Sequence, residues 1–324
     1  MHRLTYDDVA SAADRTAGHI RPVSLAEGPG GVWLALEFMQ YTGSFKARGA
    51  QNFLQAHRKA GTLPDSGVAI ASGGNAGLAC AWAAQRSGVH ATVFLPRTAP
   101  AVKVARLRGY GAEVRLVGSE YAEAAAACEE FTAATGALAS HAYDHPLIAA
   151  GAGTLFEEIR RRIPGLDTVV VAVGGGGLFT GVATAARHHG VRTVAVEPEK
   201  CRALNAALEA GRPVDVPVES VAADSLGARR ASAMALHAAR QEGVRSVLVP
   251  DTAIVRARQV LWDERRVVVE HAAATALAGL AAPGENPADA PAAGYRPAAD
   301  EQVCVVLCGA NTDPSDLVAG DPHP

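Results

Sequence analysis

Residues 168–183 read TVVVAVGGGGLFTGVA. An apolar run rich in β-branched residues, a glycine turn and an amphipathic stretch make one strand–turn–helix unit of a parallel α/β protein. Four consecutive glycines, Gly174, Gly175, Gly176 and Gly177, are entropically unfavourable unless something needs the backbone to come close. Amides at the start of a helix, aided by its dipole, suit a phosphate. No Lys-Ser/Thr pair follows, so the turn is not a P-loop, and the GxGxxG spacing is absent. Glu197, 20 residues after Gly177, keeps a dinucleotide reading open.

The same rhythm extends along the chain. Strands are expected over 68–71, 91–95, 113–117, 168–173, 193–197, 246–249 and 303–307. Helices are expected over 76–86, 101–108, 121–135, 154–162, 178–188, 228–241, 254–265 and 272–281. Residues 283–300, rich in Pro, Ala, Gly and Asp, have no period and read as a mobile loop, and the tail after Asn311 reads as frayed.

Composition narrows the function class. The 324 residues, 49% hydrophobic and 19% charged, are enough for one large or two smaller buried cores. A net charge of −3, with basic and acidic residues interspersed, gives no field for nucleic acid or an anionic membrane. The N-terminus has acids where a secretory signal would be apolar, and no run reaches membrane-spanning length, so a cytoplasmic protein is expected. Five cysteines at 80, 128, 201, 304 and 308 lack zinc-like pairing, and neither disulfides nor a structural zinc is expected.

Three further features carry chemistry. Lys46, in TGSFKARG (42–49), is one of 4 lysines against 26 arginines. Arginine cannot lose its proton at working pH, whereas a lysine with a lowered pKa can form an imine. Taken alone, such a lysine is more often a solvated surface group. Ser72-Gly73-Gly74-Asn75-Ala76-Gly77 lies between an expected strand and helix and offers amides and two polar side chains to an anion such as a carboxylate; an ordinary capped turn looks the same. Cys308 ends the last apolar strand, where open α/β sheets place ligands, although a small buried cysteine is the commoner case.

An imine-forming lysine, a carboxylate turn and a phosphate cup together suit pyridoxal 5′-phosphate and an amino acid. The segments GSFKARGA, ASGGNAGLACAWAA, VAVGGGGLFTGVA, VAVEPEK and VVLCGAN, in that order, resemble the fold type II pyridoxal-phosphate enzymes. The nearest likeness is to the serine/threonine dehydratase family, which is related to serine racemase, and it covers nearly the whole chain. It implies two open, twisted, mainly parallel α/β domains of the tryptophan synthase β type with the cofactor between them: a large domain of residues 1–44 plus 144–324, and a small mobile domain of residues 45–143.

The resemblance makes Lys46 the cofactor-bearing and catalytic lysine and packs Phe45 against the pyridine ring. It gives Asn75 the ring hydroxyl, glycines 174–177 the phosphate, and Cys308 the place beside the ring nitrogen. Ser72, Gly73, Asn75 and Ala76 would hold the substrate carboxylate. Glu197 and the carbonyl of Cys201 match cation ligands; with Ala203 where racemases have an aspartate, one carboxylate suits K+ or another monovalent ion. Gly73 stands where the racemase pattern has a serine hydroxyl, which favours dehydration over racemisation.

The implied reaction is elimination of water from L-threonine or L-serine, giving 2-oxobutanoate or pyruvate and ammonia. The rivals are a racemase, a dehydratase for 3-hydroxyaspartate or arylserine, a β-replacement synthase, and a pyridoxal-phosphate-binding protein without turnover. The implied partners are a small amino acid and, from the alanine-rich helical faces, a second copy in a homodimer. His271, in VEHAAA (269–274), either faces the pocket or is a structural histidine.

Overall fold

The computed structural model describes residues 3–281 and 294–318. In chain order the elements are α1 (Tyr6–Thr16), β1 (Leu25–Glu27), β2 (Trp33–Ala35), α2 (Lys46–Ala60), β3 (Val68–Ala71), α3 (Asn75–Arg86), β4 (Ala91–Leu95), α4 (Ala101–Gly109), β5 (Glu113–Leu116), α5 (Tyr121–Thr135), β6 (Leu138–Ala139) and α6 (Pro146–Arg162). They continue as β7 (Thr168–Ala172), α7 (Gly177–His188), β8 (Arg192–Pro198), α8 (Ala203–Ala210), α9 (Ala223–Leu226), α10 (Ala233–Ala239), β9 (Val244–Val249), α11 (Asp251–Arg265), α12 (His271–Ala278), β10 (Val303–Val306) and α13 (Ser315–Val318).

Two sheets result. One has six strands in the order β1-β2-β10-β7-β8-β9; the other has four, β5-β4-β3-β6. All ladders are parallel except β1 against β2. Central strands such as β7 and β10 are buried along their whole length, which explains their unbroken apolar sequence. The larger core surrounds the six-stranded sheet, and two smaller ones pack against the four-stranded sheet. Both glycine turns lie at the carboxyl ends of parallel strands, where this architecture opens a crevice.

The expected strands and most expected helices are present, with five differences. Helix α6 starts at Pro146 rather than 154, with His145 Nδ1 accepting from the Leu147 amide. Helix α10 starts only at Ala233, where Ser232 caps it. Helices α1, α2 and α8 and strands β1, β2 and β6 add to the sequence reading. Of the loop expected over 283–300, residues 283–293 lie outside the described residues, and Tyr295 is anchored: it is buried and its amide donates to Gly279 O. The tail expected to fray after Asn311 is pinned in part, since Arg258 donates to Asp313 O and pairs with Asp316; residues 319–324 lie outside the described residues. No helix among the described residues is long and apolar enough to cross a membrane.

Candidate active site

Lys46 is brought to the end of β10 by the backbone around it. Phe45 N–H donates to Cys308 O at 2.9 Å, Ala310 N–H to Gly43 O at 3.0 Å, and Ser44 bridges Gly309. Gly43 has φ +77°, and a Cβ there would lie 2.8 Å from Asn311 Oδ1, so only glycine fits the turn. Lys46 then opens α2, whose next turn is fixed by Arg48. That fully buried guanidinium pairs with Glu37 at 2.5 Å and Glu158 at 2.7 Å.

The Lys46 amine is partly buried. It donates to Ala142 O at 2.9 Å and lies 4.7 Å from the centroid of the Phe45 ring. Burial lowers its pKa to about 8, against the opposing pull of Cys308 and Glu270. A sizeable neutral fraction at neutral pH is what imine chemistry and proton abstraction need. The Cys308 thiol is buried and pushed up to about 12 by that burial, with Glu270 adding to the shift and Lys46 opposing it. It therefore faces Lys46 as a neutral group.

Asn75 begins α3, and its amide reaches across to Glu270, with Nδ2 at 2.9 Å and 3.0 Å from the two carboxylate oxygens. Asn311 Nδ2 donates to Asn75 Oδ1 at 2.7 Å. Glu270, 5% exposed, also accepts from the Ser225 hydroxyl and the Asn311 amide, both at 2.7 Å. This carboxylate joins Asn75, on the helix beside the four-stranded sheet, to the segment that follows β10 in the six-stranded one. It was not among the residues singled out from the sequence, although it lies in the segment that carries His271. His271 itself sits among Arg258, Asp316 and Asp251, none of which belongs to this site.

Two sets of backbone donors face the same crevice. Among the described residues, the N–H groups of Gly73, Gly74, Asn75 and Ala76 have no acceptor, and neither do those of glycines 174–177. Buried or half-buried donors without partners are uncommon and point to a ligand. Side chains are excluded from the second loop: a Cβ on Gly175 would lie 2.3 Å from the Tyr143 ring, and one on Gly176, at φ +99°, would lie 2.3 Å from Ala235 Cβ. A Cβ on Gly73 would meet Leu95 Cδ2 at 2.9 Å. The amine, the neutral thiol, the amide side chain and the two donor loops fit a phosphorylated pyridine aldehyde and an amino acid. His141 adds a neighbour that the sequence did not signal. Its Nδ1 accepts from the Tyr143 and Asp144 amides, and burial, with a contribution from Lys46, lowers its pKa.

Glu197 and Cys201 lie apart from this group. Glu197 is fully buried on β8, and its two oxygens accept from the Leu204 amide at 2.7 Å and the Asn205 amide at 2.8 Å, capping α8. Burial raises its carboxyl to about 8, partly offset by those two amides. No group of three or more His, Cys, Asp or Glu among the described residues is arranged to hold a metal ion.

The pyridoxal-phosphate dependent enzyme family model matches residues 19–309. A mouse serine dehydratase-like protein is 39% identical over 255 residues, covering 77% of this chain and 76% of that one. An L-threonine ammonia-lyase of Geobacter sulfurreducens is 36% identical over 251 residues, covering 77% of this chain and 62% of its own. The structure of maize serine racemase superposes with a TM-score of 0.86 at 26% identity, covering 98% and 97% of the two chains. With its lysine, donor loops and two sheets, the chain belongs to the pyridoxal-phosphate dependent enzyme family, within the fold type II serine/threonine dehydratase group.

Proposed function

We propose that this protein is a pyridoxal-phosphate-dependent ammonia-lyase that removes water from L-threonine or L-serine, giving 2-oxobutanoate or pyruvate and ammonia. The observation that carries the reading is the convergence of a lysine lowered to about 8 with Asn75, Glu270 and Cys308 at the mouth of two unpaired amide loops. Lys46, Phe45, Asn75, Cys308 and glycines 174–177 would hold the cofactor. When bound, it supplies an aldehyde for the amine and a conjugated ring that takes up the electron pair left by the α-proton.

The protein's own part follows from the site. The amides of residues 73–76, with Ser72, orient the substrate carboxylate at the start of α3. Lys46 Nζ, whose proton burial makes easier to lose, takes the α-proton in its neutral form. Glu270 fixes Asn75 so that its amide keeps one orientation. A neutral Cys308 thiol beside the ring nitrogen would not protonate it, which favours prompt loss of the β-hydroxyl; the hydroxyl takes up one proton as it leaves as water, balancing the α-proton held by Lys46. The released enamine is hydrolysed to the oxo acid and ammonia. Segment 45–143, with the four-stranded sheet, is read as the small domain that closes over substrate and excludes water.

The test is a panel of β-hydroxy amino acids assayed for oxo-acid release, with Lys46→Ala as the blank. Threonine and serine should turn over, with at least a ~10³-fold loss in the variant. Equal release by Lys46→Ala would refute the reading.

A monovalent cation at Glu197 and the Cys201 carbonyl completes the proposal. The buried carboxylate has two N–H donors, and no cationic side chain pairs with it among the described residues. K+ should raise the melting temperature over tetramethylammonium in the wild type and not in Glu197→Gln. A cytoplasmic homodimer is also part of this reading. Light scattering should give twice the chain mass of 33.3 kDa, and a monomer mass would remove that part.

A further inference from the structure

Against helices α7 and α10 lie two adjoining cavities of about 490 and 480 Å³ that share Arg3 and His237; neither is lined by Lys46 or by glycines 174–177. Arg187 and His188 line the first, Arg212 and Arg240 the second, and neither has a carboxylate in its wall. The chain as a whole carries 33 acidic against 30 basic residues, so this local segregation is not a reflection of composition. The guanidinium groups of Arg3, Arg187 and Arg212 make no hydrogen bond or ion pair with any described residue. Arg240 donates to Gly211 O at 2.8 Å. Burial, then Arg3 and Arg187, disfavour the charged form of His237, so the cations lie close enough to repel one another's charge. A low-dielectric groove lined by one sign of charge concentrates counter-ions.

The walls of this groove also hold the glycine loop. Helix α7 begins at Gly177, and Thr180, which lines the first cavity, directs its amide and hydroxyl to Gly176 O at 2.8 Å and 2.6 Å. Helix α10 abuts the loop through Ala235, and the amide of its cap, Ser232, donates to Gly175 O at 3.0 Å. One phosphate could meet the cations of one cavity; a linear chain of phosphates would span both.

We propose that this groove binds a linear polyphosphate, as the inorganic anion or as the tail of a nucleotide, and that binding is coupled to the glycine loop. The coupling rests on the reading of that loop as the cofactor's phosphate cradle; the binding does not. The test is titration calorimetry of the holoenzyme with inorganic tripolyphosphate at fixed ionic strength, beside the Arg187→Glu/Arg212→Glu double variant. Both positions are exposed and outside the active site, so folding and turnover should be unchanged in the variant.

Saturable binding that weakens at least 10-fold in the variant is expected. Absence of saturable binding, equal affinity in the variant, or equal binding of sulfate would overturn the site. Adenosine triphosphate binding like tripolyphosphate would identify a charge-only site, and tighter binding one that also reads a nucleoside; either supports the groove. For the coupling, tripolyphosphate should change cofactor affinity at least ~5-fold in the wild type and not in the variant. An unchanged cofactor affinity would overturn the coupling and leave the site in place.

Discussion

Glu270 is the residue that turns separate motifs into one site. Its carboxylate accepts from Asn75, Ser225 and Asn311 and raises the affinity of Lys46 for its proton. The sign of its effect can be tested. In the apoenzyme, uptake of pyridoxal phosphate needs the neutral amine, so its rate should rise with pH through a midpoint near 8 and level off above it. Glu270→Gln removes an anion that favours the charged amine, so its midpoint should lie lower. The same change replaces charge-assisted hydrogen bonds, and substrate KM should rise by ~10-fold. A wild-type rate still climbing through pH 9 towards the usual 10.5 would contradict the burial of Lys46. Lysine rarity and two glycine turns made Lys46 and its partners legible in the sequence. Glu270 and His141 were not, because their importance arises from contacts between distant segments, 195 residues apart for Asn75 and Glu270.

At the scale of elements, legibility followed burial. Strands such as β4 and β7, buried through, stand out as apolar runs. Helix α2 did not, because its buried face carries Arg48, Gln51 and Asn52 and so breaks the apolar period. The reason is the buried group of Arg48, Glu37 and Glu158, which no hydrophobic pattern signals. The start of α6 was available in the sequence as Pro146 at the first helical position, a signal that outweighs the alternating small residues after it. The glycine loop is the element whose chemistry was clearest. Gly176→Ala places a Cβ 2.3 Å from Ala235 Cβ at a φ of +99°. It should weaken cofactor retention by ~1–3 kcal/mol, read as the concentration needed to restore the cofactor's absorbance. Retention equal to wild type would mean that the loop does not hold the phosphate.

At the scale of the molecule, the two sheets meet across a crevice bridged by more than one contact. Lys103, on α4, pairs with Asp224, on α9, at 2.7 Å, and Asn75 reaches Glu270. Exposed pairs of the first kind contribute at most ~1 kcal/mol, so the crevice is held mainly by the buried second one. The two-layer organisation was legible because each βα unit has its own turn. The insertion of β10 between β2 and β7 was not, because it joins chain ends through pairings that leave no local mark. In the proposed reaction this arrangement removes water from a β-hydroxy amino acid promptly once the α-proton is taken. A proton NMR time course of the holoenzyme with L-serine and L-threonine in D2O tests this. Pyruvate or 2-oxobutanoate should appear with equimolar ammonia, without build-up of α-deuterated substrate or of the D-isomer. D-serine forming as fast as pyruvate, or α-exchange without oxo acid, would contradict it.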